Sequence, residues 1–252
     1  MKISTLKLKN FMLFEEIEIN WSKNINIICG ANSTGKTTLL KVMYSMLKPI
    51  SKGAVKPTSR EIGEQQFVEK LQGVFRPDEM KIGRLVSRKR GSNRAEFSVV
   101  LDSGQKISIG FGNRQENHAD VEIEGKIPAG GFDAIYIPTK EMISTTEHFT
   151  ALYEEYHLDF EEMYYDLARF LDRPLSKGAN TSEQDEVLRN FENIMKGQIV
   201  QKDKKFFLKV KGEGEFEMGL LSDGYRKLSM IIYLILSGSL NRNTVLFWDE
   251  PE

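Results

Sequence analysis

Eight consecutive residues, Gly30-Ala31-Asn32-Ser33-Thr34-Gly35-Lys36-Thr37, constrain this chain more than any other feature in it. They satisfy the spacing GxxxxGK(S/T), in which one tight turn aims successive backbone N–H groups at a single anion. Gly30 and Gly35 permit that turn, Lys36 supplies a point charge, and the Thr37 hydroxyl is a ligand for Mg2+. Thr38 continues into a segment whose N-terminus adds partial positive charge. A loop of this kind takes a nucleotide triphosphate. Its flanks agree: Ile25-Asn26-Ile27-Ile28-Cys29 is expected to be a short buried strand running into Gly30. Leu39, Leu40, Met43, Met46 and Leu47 then recur at helical spacing, giving strand, loop and helix. A chance glycine-rich turn beside a surface lysine would lack that frame.

Two further motifs lie near the other end. Thr244-Val245-Leu246-Phe247-Trp248-Asp249-Glu250 is an apolar run closing on two acids. As a buried strand it delivers Asp249 to the edge of a sheet, where open α/β sheets bind ligands. Asp249 is expected to hold Mg2+ together with Thr37, and Glu250 to act as general base toward an attacking water. Taken alone, such an ending is often just the onset of a turn. Leu221-Ser222-Asp223-Gly224 precedes a helical pattern with Leu228, Ile231, Ile232 and Ile235 on its apolar side. Ser222 suits the N-cap of that helix, and capping alone would explain an isolated Ser-Asp-Gly.

The LSxG pattern, placed shortly ahead of a strand ending Asp-Glu-Pro, resembles the signature motif of ATP-binding-cassette ATPases. The resemblance implies ATP as the nucleotide and a head-to-tail homodimer. Ser222, Gly224 and the helix N-terminus of one copy would then cap the γ-phosphate held by the other. The opening Ile3-Ser4-Thr5-Leu6-Lys7-Leu8-Lys9-Asn10-Phe11, followed by alternating Ile17, Ile19 and Trp21, is similar to the entry of the RecF/SMC/OLD branch. Phe132 to Met142 and Ser222 to Leu228 look like bacterial AAA-family ATP-binding proteins, which often occur in anti-phage or toxin-like settings. The fold class implied is α/β: a P-loop NTPase with an ABC-ATPase-like mixed sheet, an antiparallel β-subdomain and a helical lobe. Met12 stands where the branch usually carries a basic residue. The family's Mg2+-sensing glutamine has no direct counterpart, and by position Glu141 is taken for that metal-facing role. The family also places a D-loop, further strands and a switch histidine beyond the point where this sequence stops, whereas His118, His148 and His157 all come earlier. The expectation is a single ATPase domain over residues 1–252 whose C-terminal part is missing, with a second completing polypeptide as the alternative.

Between the phosphate loop and the signature lies a long insert. Residues 85–127 have strand character: Phe97-Ser98-Val99-Val100-Leu101, a turn at Asp102-Ser103-Gly104-Gln105, then Lys106-Ile107-Ser108-Ile109. Val121 to Glu124 gives a third alternating run. Residues 144–200 turn helical, with Phe149, Leu152, Tyr153 and Tyr156 on one face and Phe160, Met163, Tyr164, Leu167 and Leu171 on another. The tyrosines there serve either as core or as a partner surface. Phe206 to Val210 and Glu215 to Met218 form a second hairpin, and residues 206–252 carry the signature and the acidic strand. Residues 51–59, rich in Ser, Gly, Pro and Lys, are expected to be a mobile loop. No heptad pattern persists, which excludes a long coiled coil.

Composition bounds the rest. Net charge is −1, so bulk electrostatics give no case for nucleic-acid binding. Locally, Lys81, Arg84, Arg88, Lys89, Arg90 and Arg94 fall within fourteen residues free of acids. They form either a solvated hairpin tip or a phosphate-tracking patch. The single cysteine, Cys29, excludes a disulfide framework and is expected in the core. No apolar run is long enough to span a membrane and no secretory leader is visible, so a cytoplasmic location is expected. Two functions fit. One is an ATPase whose dimerisation and hydrolysis drive an effector protein or a nucleic-acid process. The other is a nucleotide-gated sensor with negligible turnover.

Overall fold

The computed structural model describes residues 2–52, 63–125, 131–156, 158–176 and 181–251. Most of the loop expected at 51–59, and His157, lie outside the described residues. The chain divides into two compact units, Met1–Ala134 and Ile135–Glu252.

The first unit is built on an antiparallel sheet. Strands β1 (Ile3–Phe11) and β2 (Phe14–Asn20) form a hairpin, helix α1 (Lys36–Leu47) follows, and α2 (Glu64–Phe75) comes next. Strands β3 (Arg94–Leu101), β4 (Lys106–Gly112) and β5 (Asp120–Glu124) complete the order β2-β1-β3-β4-β5. The alternation read in the sequence is what the sheet uses: Ala95, Phe97, Val99 and Leu101 of β3 are buried, as are Ile107, Ile109 and Phe111 of β4. Leu6, Leu8 and Phe11 of β1 join them. The hairpin turn closes with the Leu101 N–H donating to Gln105 O at 2.8 Å, and Gly104 takes φ +90°. Edge-to-face contacts run from Phe75 to Phe11, Phe97 and Phe111 and tie α2 to the sheet. Helix α2 buries Phe67, Val68, Leu71 and Val74, an i, i+1, i+4, i+7 stripe absent from the reading above.

The segment Ile25–Cys29 departs from expectation, since it forms no strand. Ile25 and Ile27 are 82% and 81% exposed, and Cys29 is exposed rather than buried. The cause is local. The Ser22 N–H donates to Asn26 Oδ1 at 2.8 Å, Asn26 Nδ2 to Ser22 O at 3.0 Å, and the Ser22 hydroxyl to Ile25 O at 3.0 Å. Short polar side chains thus take backbone groups that a ladder would need.

The second unit begins in β6 (Asp133–Ile137) and continues through α3 (Phe149–Tyr156), α4 (Glu162–Leu171) and α5 (Ser182–Met195). Strands β7 (Gly197–Lys202), β8 (Lys205–Val210) and β9 (Gly214–Glu217) pair antiparallel in that order. The β8–β9 hairpin matches the sequence reading, whereas β7 begins inside the tract expected to be helical. Helix α6 (Asp223–Leu236) and strand β10 (Thr244–Trp248) follow, and β10 pairs with β6. One apolar core includes Ile135, Ile137, Leu167, Leu171, Leu208, Met230 and Leu234. In the lobe, Met163, Leu167 and Leu171 are core, but Leu152, Tyr156 and Phe160 are exposed. Helix α5 opens with a capping box: Thr181 Oγ1 accepts from the Gln184 N–H and Gln184 Oε1 from the Thr181 N–H. No helix of the described residues is long and apolar enough to cross a membrane.

Candidate nucleotide-binding site

The phosphate loop is shaped by backbone conformation. Gly35 is the N-cap of α1 with φ +93° and ψ 14°, in the left-handed region. A Cβ there would lie 2.5 Å from Phe14 Cζ and 3.0 Å from Leu13 Cδ2, so both conformation and space demand glycine. Ser33 is also left-handed, at φ +64°. The Thr34 hydroxyl donates to Ala31 O at 2.9 Å, and the Lys36 ammonium donates to the carbonyls of Gly30 (2.9 Å) and Ala31 (2.8 Å). The lysine therefore curls back over the turn it follows, which concentrates its charge at the loop. Helix α1 has no acid in its first turn, so the positive end of its dipole is undiminished. Gly30 to Thr38 form one group, inside the first unit.

The acidic strand is set differently, by packing. Asp249 is 7% exposed, and its N–H donates to Ile137 O at 3.0 Å, extending the pairing of β10 with β6. Its Oδ2 accepts the Tyr136 hydroxyl at 3.3 Å and the Thr139 hydroxyl at 3.4 Å. Burial pushes the Tyr136 phenol far above its ordinary range, and the Asp249 charge adds to this, so Tyr136 stays a neutral donor. Glu250 follows with φ +48° and is exposed. Its carbonyl accepts the Lys227 ammonium at 3.1 Å.

The signature turn stands on the same core. Ser222 is the N-cap of α6 by position, yet its hydroxyl makes no capping hydrogen bond. The cap expected from sequence is therefore backbone alone, with the Arg226 N–H donating to Ser222 O at 3.1 Å. Ser222 and Gly224 are exposed, and a Cβ added at Gly224 would meet nothing within 4 Å. Arg226 Nη1 pairs with Glu141 Oε1 at 3.1 Å. Glu141 is 4% exposed and also accepts the Ser144 N–H at 3.1 Å and the Ser144 hydroxyl. Its carboxylate thus links the segment after β6 to the signature helix. Glu141, Ser222, Gly224, Asp249 and Glu250 form the second group, inside the second unit.

Tyr136, Thr139, Arg226 and Lys227 were not foreseen as site residues. A hydroxyl-bearing aromatic in an otherwise apolar strand, and two cations just inside the signature helix, were the available signals. Four of the six cations in the basic run at 81–94 pair with acids just outside it or distant in sequence. Lys81 pairs with Glu79 and Glu116, Arg84 with Asp78, Lys89 with Glu15, and Arg94 with Asp120 and Glu96. That is the pattern of a solvated face.

A threonine hydroxyl and a carboxylate are each hard oxygen donors of the kind Mg2+ prefers, a metal that keeps phosphates and waters in its shell. Among the described residues no cluster of three His, Cys, Asp or Glu could cage a metal without such help.

The family model described as AAA ATPase domain matches residues 1–126, half of the chain. The DNA replication and repair protein RecF of Staphylococcus haemolyticus is 22% identical over 158 residues, covering 54% of this chain and 40% of that protein. RecF of Clostridium kluyveri is 50% identical over 44 residues, covering 18% and 12%. The chain thus spans less than half the length of these curated relatives. Among solved structures, an SMC head bound to the C-terminal winged-helix domain of ScpA superposes with TM-score 0.51 at 13% identity, covering 95% of this chain and 77% of that one. An SMC head from Pyrococcus furiosus gives 0.50 at 13%, covering 99% and 82%. These two likenesses establish the fold, that of P-loop ABC-type ATPases. The family match over half of the chain makes it a member of the AAA ATPase domain family, with the fold of ABC-type ATPase heads and sequence similarity to RecF.

Proposed function

We propose that this chain binds ATP with Mg2+ and hydrolyses it as a homodimer that drives an effector protein or a DNA-linked process. The observation that carries this reading is the loop at Gly30–Thr37: a glycine-enforced turn, an ammonium drawn over it, and a helix N-terminus free of acids. Backbone N–H groups of Ala31 to Thr38 bind the phosphates, and Lys36 neutralises their charge. Thr37 and Asp249 are the residues that would hold Mg2+, which supplies charge neutralisation at the phosphates. Tyr136 and Thr139 orient the Asp249 carboxylate by donating to one of its oxygens. Glu250 takes the proton of the attacking water. Ser222 and Gly224 of a second copy face the γ-phosphate. The open space at Gly224 supports this, because no described atom lies within 4 Å of a Cβ placed there. The relatives named for DNA replication and repair support a DNA-linked output, and a cytoplasmic setting belongs with it.

Titration calorimetry with Mg2+ and a slowly hydrolysed ATP analogue tests the first half. Wild type should bind, and Lys36→Ala should lose about 100-fold in affinity or more, as expected for removing a charge-assisted contact to phosphate. Glu250→Gln should keep binding, lose about 100-fold in turnover, and accumulate dimers in sedimentation. No heat with wild type, or wild-type turnover in Glu250→Gln, overturns the proposal.

A sensor with negligible turnover is the second reading. It is favoured by the Glu250 side chain, which no described residue holds by a hydrogen bond. Multiple-turnover phosphate release separates the two.

A further inference from the structure

The signature helix and the proposed base are joined by one buried cation. Lys227 has a side chain 9% exposed, with Nζ 3.1 Å from the Glu250 carbonyl oxygen and 3.5 Å from Asp223 Oδ2. A buried ammonium is retained only when partners compensate its lost hydration. Its partners include the acid inside the signature motif and the backbone of the residue read as the base. That residue holds a left-handed φ of +48°, which a side chain bearing a Cβ adopts at a cost, and Pro251 after it further narrows its choices. Something must over-determine such a conformation, and Lys227 is the side chain placed to do so. The adjacent Arg226 pairs most closely with Glu141 after β6, at 3.1 Å, and more loosely with Asp223, at 3.8 Å. The first turns of α6 are thus tied to the exits of both β6 and β10, Arg226 through Glu141 and Lys227 through Glu250, and both cations also pair with Asp223.

We propose that Lys227 is a positioning residue that couples the signature turn to Glu250. When Ser222 to Gly224 engage phosphate from a second copy, Asp223 and Lys227 move with the turn, and the Glu250 peptide is set by the same contact. Each copy would then align its own base in response to nucleotide held by the other. This rests on reading Glu250 as the base and Ser222–Gly224 as the phosphate-facing turn.

The test uses the full chain with Lys227→Met and Lys227→Arg. Hydrogen exchange without nucleotide should show the segment around Asp249 and Glu250 exchanging about tenfold faster in Lys227→Met, while Lys227→Arg stays near wild type. With Mg2+ and the slowly hydrolysed analogue, wild type should gain protection in this segment and in the first turn of α6 together. Lys227→Met should gain it in the α6 turn alone. Where turnover is measured, Lys227→Met should lower kcat about 10- to 100-fold at unchanged KM. The Lys227→Met/Glu250→Gln double variant should be no slower than Glu250→Gln. Equal exchange near Glu250 in wild type and Lys227→Met, or multiplicative losses in the double variant, overturns the inference. An equal loss of melting temperature in Lys227→Arg and Lys227→Met, with no change of exchange confined to Glu250, marks Lys227 as structural and also overturns it. Absent analogue binding, or wild-type turnover in Glu250→Gln, removes the underlying reading instead. The nucleotide-free exchange arm still decides whether Lys227 holds Glu250.

Discussion

The two groups of proposed site residues, one in each unit, are held by opposite means. In the first unit the phosphate loop lies at the surface, and its shape comes from backbone: a left-handed glycine, a left-handed serine and a lysine returning to two carbonyls. In the second unit Asp249 lies in an apolar core, fixed by strand pairing and by two hydroxyls. A ligand with many acceptors needs N–H groups, which only backbone can crowd together. A single metal-facing carboxylate needs one orientation, which packing supplies. The expected consequence is different sensitivity: the loop should fail through changes in chain conformation, the acid through changes in its surroundings.

Glycine substitutions break this contrast most directly. Gly35→Ala should cost about 2–4 kcal/mol, summing left-handed strain with the clash against Phe14, and should abolish analogue binding. Urea unfolding followed at Trp21 in a Trp248→Phe background reads it, since one tryptophan falls in each unit. Gly224→Ala should instead be neutral or gain up to about 1 kcal/mol, because alanine favours a helix and meets open space. It should nevertheless weaken ATP-dependent self-association. A Gly224→Ala variant that dimerises as wild type would leave that glycine without a role.

An alkaline titration sharpens the contrast on the other side. Burial raises the Tyr233 phenol to about 12, and its hydroxyl lies 2.8 Å from Arg173 O and 2.7 Å from Gln201 Oε1, with one proton to donate to either. An unfolded tyrosine ionises near pH 10. The stability this group contributes is therefore complete below about pH 10 and is lost as pH rises toward 12. Unfolding followed at Trp248 in a Trp21→Phe background should show this loss, and Tyr233→Phe should flatten the slope. A slope identical in Tyr233→Phe would assign it to other groups. The smallest effect is expected from Arg88→Ala/Lys89→Ala/Arg90→Ala. Its urea midpoint should correspond to a change within about 0.5 kcal/mol, and retention on a DNA column at low salt should match wild type. Markedly weaker retention would restore the phosphate-tracking reading of this run.

Much of the site was legible because its chemistry is written in local spacing. The loop, the acidic strand and the signature turn are each contiguous, so residue order alone located them. The β3–β4 hairpin was legible for the same reason, with strict alternation on both sides of a glycine turn. What escaped depends on competition or on distance. Ile25 to Cys29 has the apolar content of a strand, but Ser22 and Asn26 divert its backbone. Strand β7 follows directly on α5, where helical periodicity masked the change of period. Tyr136 and Lys227 act on residues more than twenty positions away in sequence, and no local pattern names such a partner. The partners of the basic run are hidden for the same reason, since they include Glu15 and Asp120.

The packing of Leu13 and Phe14 under Gly35 carries a lesson for where this protein can be cut. Those two side chains occupy the space that any larger residue at 35 would claim, so the opening hairpin acts as a mould for the anion-binding turn. A boundary drawn between residues 20 and 30 would separate the mould from its cast. Shortened versions that begin after the hairpin should keep the motif letter for letter and lose its shape.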